Sequence, residues 1–225
     1  PIYIKIFTMG GVRSETPSNN GIGHLLTSLL GKGSNRYDKN KIQTLVEDNG
    51  AHLYATLGNN TLFYNLDCLS EDFEKLLPVF INSYLHPKFE KNDLSEIKRK
   101  TQLWLKQRKD NWYNYGMYYF KKQFFKDHPY SLSKIGEHKT IQSITLNDIM
   151  KYHQNHIDPS QLIVTVFGDF DKTRVIEKIK KTMGNLTPIN KNNGSQSLSD
   201  LRNLHIKSSF KKVNIPQNVS AIFMA

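Results

Sequence analysis

The chain has 225 residues, 31 Lys and Arg against 20 Asp and Glu, and a single cysteine, Cys68. One cysteine excludes a disulfide framework and any thiolate zinc site within the chain, and no apolar run approaches the roughly 18–20 residues that a membrane-spanning helix needs. Hydrophobic residues at 38% and aromatics at 11%, spread along the whole chain, supply a core and exclude intrinsic disorder, and the length allows one large domain or a domain plus part of a second.

The net charge of +11 would suit an acidic partner. The excess is mostly Lys, dispersed and accompanied by many Asn, whereas recognition of phosphate and bases favours clustered Arg with aromatics between. Nucleic acid is therefore not expected as a partner.

In chain order, Ile2, Ile4 and Ile6 alternate with Tyr3, Lys5 and Phe7, the period of a half-buried strand, which Gly10-Gly11 ends. Ile22, Leu25, Leu26, Leu29 and Leu30 follow at helical spacing, entered from Asn19 or Asn20 and closed by Gly31 to Gly33. Asp38 caps a second helix that runs to Gly50. Strands near 51–57 and 61–68 are joined by the hairpin signal Gly58-Asn59-Asn60. A helix is predicted over 70–85, tolerating Pro78 at some cost, then others over 91–110 and 114–127, and an irregular segment around His128-Pro129-Tyr130 and Gly136. Thr145 caps the next helix, with Asp148 completing an imperfect capping box. Leu162 to Phe167 reads as a short apolar strand, 172–183 as a basic helix, 187–203 as a polar linker, and 205–214 and 217–225 as two more strands. The order predicts an α+β fold, a largely antiparallel sheet with helices packed on one face.

Several short segments carry a resemblance. They are Gly10-Gly11-Val12-Arg13 through Gly21-Ile22-Gly23-His24 to Gly31, then Gly50-Ala51-His52-Leu53-Tyr54-Ala55, Thr61-Leu62-Phe63-Tyr64 and Leu85-His86-Pro87-Lys88-Phe89. His128-Pro129-Tyr130, Ile144 to Ile149 and Val164-Thr165-Val166-Phe167-Gly168-Asp169 complete the set. In this order, over about 2–185, they resemble the pitrilysin/insulinase-type (M16) metallopeptidases. Active members carry His-x-x-Glu-His on the first helix, two histidines at i and i+4 clamping zinc while the Glu activates its bound water. Here the five positions read His24-Leu25-Leu26-Thr27-Ser28. Thr27 is no general base near neutral pH and Ser28 is a poor zinc ligand. The third ligand of the family, a Glu about 75 residues on, should fall near 103–105, where this chain has Leu103, Trp104 and Leu105. No catalytic or metal-ligating residue is therefore expected in this chain, and His24 should be a packed or hydrogen-bonded helix residue.

Other clusters read as structural. His153 and His156, at i and i+3, are expected on a solvated face, the aromatic stripe from Tyr113 to Phe125 in packing, and Cys68 as an inert thiol. No phosphate-binding Gly loop or Ser-His-Asp arrangement is present.

The resemblance implies two similar domains per subunit and paired subunits closing over a peptide, often with zinc in only one partner. It places 1–204 as a first such domain lacking the strand that normally precedes Pro1, and 205–225 as the truncated start of a second. It also implies a non-catalytic subunit that encloses unfolded peptide with a motif-bearing sister, or as a homodimer, the zinc lying in the active partner. Peptide would add as a strand at an edge near His52, Leu53, Tyr54, Ala55 and Thr56. The alternatives are a scaffold protein outside proteolysis, as in some respiratory complexes, and an active peptidase with unorthodox ligands such as His24 with Glu96. For location, the resemblance leans towards a bacterial periplasm or cell envelope, or an organelle.

Overall fold

The computed structural model describes residues 1–188, 212 and 222–224. Its elements are β1 (Ile2–Met9), α1 (Ile22–Leu29), α2 (Lys39–Asp48), β2 (His52–Leu57), β3 (Thr61–Cys68), α3 (Phe73–Leu85), α4 (Lys91–Gln107), α5 (Trp112–Phe125), α6 (His138–Ser143), α7 (Leu146–His156), β4 (Leu162–Gly168) and α8 (Lys172–Met183). The four strands form one sheet in the order β2-β3-β1-β4, every neighbouring pair antiparallel.

Alternation along the strands decides the layering. Ile2, Ile4, Ile6 and Thr8 of β1 and Leu62, Tyr64, Leu66 and Cys68 of β3 are buried. They join Leu25, Leu26 and Leu29 of α1 and Phe73, Leu76, Leu77 and Phe80 of α3 in the core. Tyr64 stacks on Phe80 at 5.1 Å and on Tyr84 at 5.7 Å between ring centroids. The hydroxyls of these two tyrosines are satisfied inside the core, by Ser83 at 2.7 Å and Thr8 at 2.6 Å respectively. On the opposite face Tyr3, Met9, Tyr54, Ile163 and Phe167 are exposed. Helices on one face of an antiparallel sheet, as the sequence predicts, is the architecture found.

Several local expectations need correction. The entry to α1 is not capped by an Asn side chain: the N-cap is Gly21, at φ 97°, with no side-chain cap of its own. The third helix begins at Phe73 rather than 70 and continues through Pro78. The helix over 91–110 is α-helical only to Gln107 and tightens to a 3-10 turn at Arg108–Asp110. Asn111 starts α5 earlier than expected, its side chain accepting from Asn114 N at 2.9 Å. The short helix α6 was not anticipated; a Glu137–Thr140 capping box holds it. Strand β4 alternates half-buried residues, Leu162, Val164 and Val166 packed on the core, with exposed residues on the other face. The strands expected at 205–214 and 217–225 fall outside the described residues, except for Lys212 and 222–224, which are in no strand. Among the described residues no helix is long and apolar enough to cross a membrane.

Candidate functional site

Helix α1 bears the five positions singled out by the sequence, and a buried carboxylate anchors its start. Glu15 accepts from Gly21 N at 2.8 Å and Gly23 N at 3.0 Å, two of the amide donors that a helix N-terminus leaves free. It also accepts from Asn20 Nδ2 at 2.7 Å, and that amide donates in turn to Ser133 O at 2.8 Å. Burial pushes the Glu15 carboxyl up to about 7, although these three donors pull it down. At Gly21 and Gly136 the two loops meet backbone to backbone. A Cβ on Gly21 would lie 2.8 Å from Gly136 Cα, and one on Gly136 would lie 2.7 Å from Asn20 O.

His24 is partly buried, and its Nε2 lies 3.0 Å from Thr101 Oγ1 on α4. The Thr101 hydroxyl proton is directed at Ile97 O, 2.8 Å away, so its oxygen can only accept from the imidazole. That arrangement assigns the Nε2–H tautomer to His24. Burial lowers the His24 pKa to about 4, which keeps the ring neutral at physiological pH. Trp104 tilts over the imidazole at 6.0 Å between centroids while remaining 52% exposed. The Thr27 hydroxyl donates within its own helix, to Gly23 O at 2.9 Å and His24 O at 3.0 Å. Ser28 is partly buried on the next turn from His24.

Two α4 residues thus reach His24: Trp104, within the three positions expected from sequence distance, through its ring, and Thr101, one turn earlier, through its hydroxyl. Thr101, Trp104 and Leu105 share a helix face at i, i+3 and i+4. That periodicity was the available signal for Thr101; Glu15 had none, because its role depends on a loop folding back on the helix.

The predicted edge residues fall on β2, which among the described residues pairs with β3 alone. Leu53 and Ala55 are half-buried against the core; His52, Tyr54 and Thr56 face away and are exposed. Tyr54 O accepts from the Asn65 amide at 3.2 Å. Helix α1 runs alongside this strand in the opposite direction: a Cβ on Gly23 would lie 2.7 Å from Leu57 Cδ1, and one on Gly31 3.5 Å from Leu53 Cδ2. Helix α1, which carries His24, Thr27 and Ser28, therefore packs beside β2, approaching it through Gly23 and Gly31.

The other candidates separate. His153 is not on a solvated face: it is 5% exposed and donates from Nε2 to Tyr84 O at 2.7 Å. Burial lowers its pKa to about 4. The helical period explains the correction, since 149, 152 and 153 form the inner stripe of α7. His156 Nδ1 donates to Tyr152 O at 2.7 Å, and its Nε2 lies 3.3 Å from Ser14 Oγ. Cys68 is buried and its thiol is pushed up to about 11. The aromatic stripe of α5 contains no fully buried residue; its rings pack on one another and on Phe223 at 6.0–6.1 Å. Among the described residues no three His, Cys, Asp or Glu side chains form a metal-sized group.

Two family models match this chain: Insulinase (Peptidase family M16) over residues 2–137, and Peptidase M16 inactive domain over residues 143–224. The mitochondrial-processing peptidase subunit beta of Caenorhabditis elegans is 23% identical over 183 residues, covering 81% of this chain and 40% of that protein. The zinc protease PqqE of Helicobacter pylori is 27% identical over 184 residues, covering 80% and 41%. A crystal structure of a protease from Helicobacter pylori has the same fold, with a TM-score of 0.77 at 23% identity over 85% of this chain and 47% of that one. The chain spans less than half the length of each of these proteins.

Proposed function

Because the chain belongs to peptidase family M16, we propose that it is a non-catalytic member, a subunit that helps to enclose peptide while a motif-bearing partner supplies zinc and hydrolysis. The observation that carries the reading is the chemistry of the five α1 positions. A zinc site needs two imidazoles on one helix face and a carboxylate to activate water. Here a single imidazole donates to Thr101, and the hydroxyl in the Glu position is directed at its own helix's carbonyls. This donor set does not fit a zinc ion. His24 acts instead as a neutral tie between α1 and α4.

Peptide would bind by strand addition to the edge of β2 that no other strand pairs with among the described residues, with His52, Leu53, Tyr54, Ala55 and Thr56 supplying backbone and flanking contacts. Such binding reads backbone first and tolerates many sequences. The partner is a sister M16 subunit with an intact motif, or a second copy of this chain. The division into a first domain over 1–204 and the start of a second over 205–225 belongs to the same reading. The test is hydrolysis of a quenched unstructured peptide by the isolated protein, with and without chelator, together with identification of what co-purifies. Absence of chelator-sensitive cleavage and recovery of a motif-bearing sister are expected; cleavage abolished by chelator contradicts the reading.

One observation favours a second reading, a scaffold outside proteolysis. On the outer sheet face Phe167 is 76% and Ile163 60% exposed, with Tyr3 opposite Phe167 and Phe7 opposite Ile163 on β1. An apolar sheet face of this kind suits permanent contact with another subunit. Co-purification with an unrelated or membrane complex, and no M16 sister, would select it.

A further inference from the structure

Positive charge gathers in one stretch of the fold. Between Glu96 and Asp127 the chain has nine Lys and Arg and one acidic residue, Asp110, which makes +8 of the net +11. The excess is therefore less dispersed than composition suggests. The stretch holds most of α4, the 3-10 turn at Arg108–Asp110, and α5. Ile97, Thr101 and Leu105 form the buried stripe of α4. By the helical period Arg99, Leu103 and Lys106 lie on the opposite side, and all three are exposed. Leu103, 44% exposed, thus has a cation one turn before it and another one turn after. Past the turn α5 opens with Trp112 and Tyr113, 40% and 53% exposed, their rings edge to face at 5.9 Å. Tyr113 keeps that exposure although Phe223 packs against it.

Four other cations of the stretch are engaged elsewhere: Arg108 and Lys122 with Glu137, Lys100 with Glu96, and Lys98 with Gln142 O. Among the described residues no carboxylate pairs with Arg99 or Lys106.

We propose that the outer side of α4 and its corner with α5, carrying Arg99, Leu103, Lys106, Trp112 and Tyr113, rests on an anionic phospholipid surface. Each residue type suits that boundary. Trp and Tyr settle at headgroup level, ring in the apolar layer and polar tip in water. Lys and Arg lay their stems along apolar surface and hold their charges against lipid phosphate. Leu103 enters only shallowly, so the attachment needs no membrane-crossing helix. Nucleic acid fits less well. An exposed Leu among the charges gains nothing from a phosphate backbone, and Trp112 and Tyr113, edge to face, offer no common plane for stacked bases.

The chain has two tryptophans, so Trp104→Phe leaves Trp112 as the only reporter. Vesicles of equal parts phosphatidylglycerol and phosphatidylcholine should shift its emission to the blue and shield it from acrylamide. Vesicles of phosphatidylcholine alone should do neither. Cosedimentation of the wild-type chain should show the same preference, weakening as salt rises. Arg99→Gln and Lys106→Gln should each lower partitioning to the anionic vesicles about fivefold, one surface charge apiece. Leu103→Gln, which leaves the charge intact, should lower it several-fold. All these positions are exposed, so the core is untouched. Equal binding to both vesicles, binding to neither, or variants that bind as the wild type would overturn the proposal. So would an unshifted Trp112 on bound protein. Retention of a single-stranded oligonucleotide in preference to anionic vesicles would overturn it too, and assign these cations to nucleic acid.

Discussion

Replacing His24 by Leu separates a packed neutral histidine from every other titrating group in the fold. In the native protein the His24 pKa lies at about 4, depressed by burial from the usual 6.5. The unfolded chain therefore takes up this proton first as pH falls. The stability associated with the neutral ring is fully present above about pH 6.5 and is lost as pH falls towards 4. Between pH 7.5 and 4.5 that loss amounts to about 2–3 kcal/mol for His24. His153 shifts in the same direction for the same reason. Glu15 runs the opposite way: its pKa is raised to about 7, so its contribution is present below about 4.5 and is lost as pH rises through 7. The whole-protein profile mixes the three, and only a comparison with the His24→Leu variant isolates one. Urea unfolding followed by far-UV circular dichroism at pH 7.5 and 4.5, at constant ionic strength, makes that comparison. The variant should lose about 2–3 kcal/mol less than the wild type between the two pH values. Identical losses would mean that His24 already titrates as in the unfolded chain, and would refute the packed-tie account.

Three further outcomes follow from the same geometry. Glu15→Gln turns an amide NH₂ towards at least one of the donors of Gly21, Gly23 and Asn20. It should cost about 1–3 kcal/mol in urea unfolding; a neutral result would mean that the carboxylate does not anchor α1. Gly136→Ala combines φ 79° with a Cβ 2.7 Å from Asn20 O, and should cost about 2 kcal/mol or more. An unchanged melting temperature would contradict the close approach of the two loops. Cys68, buried with its thiol at about 11, should resist a thiol reagent at pH 8 until urea unfolds the protein. Rapid modification of the native protein would contradict its burial.

The sheet was legible in the sequence because its strands alternate cleanly and its hairpin carries Gly58-Asn59-Asn60. Asp38 and Thr145 announced their helices through side-chain caps that the structure contains. Where the cap is supplied from elsewhere, the signal disappears. The start of α1 is satisfied by Glu15 across a loop, so the neighbouring Asn residues were a false lead, and Asn20 is instead buried as a bridge to Ser133. The α6 helix is a single six-residue segment without an apolar stripe, too short for periodicity to register. His153 was misplaced because the pair with His156 was read at i, i+3 without the inner stripe of Ile149 and Tyr152. At the candidate site the motif positions were visible at once. Sequence distance located Trp104, whose ring lies against His24, but not Thr101, one turn earlier on the same face, whose hydroxyl meets the imidazole.

The zinc content of the purified protein, measured by elemental analysis after dialysis against a weak chelator, tests the account most directly. A non-catalytic chain whose one motif imidazole is tied to Thr101 should retain only trace zinc. Stoichiometric zinc would mean that the ligands had been misidentified and that this chain holds a metal site of its own.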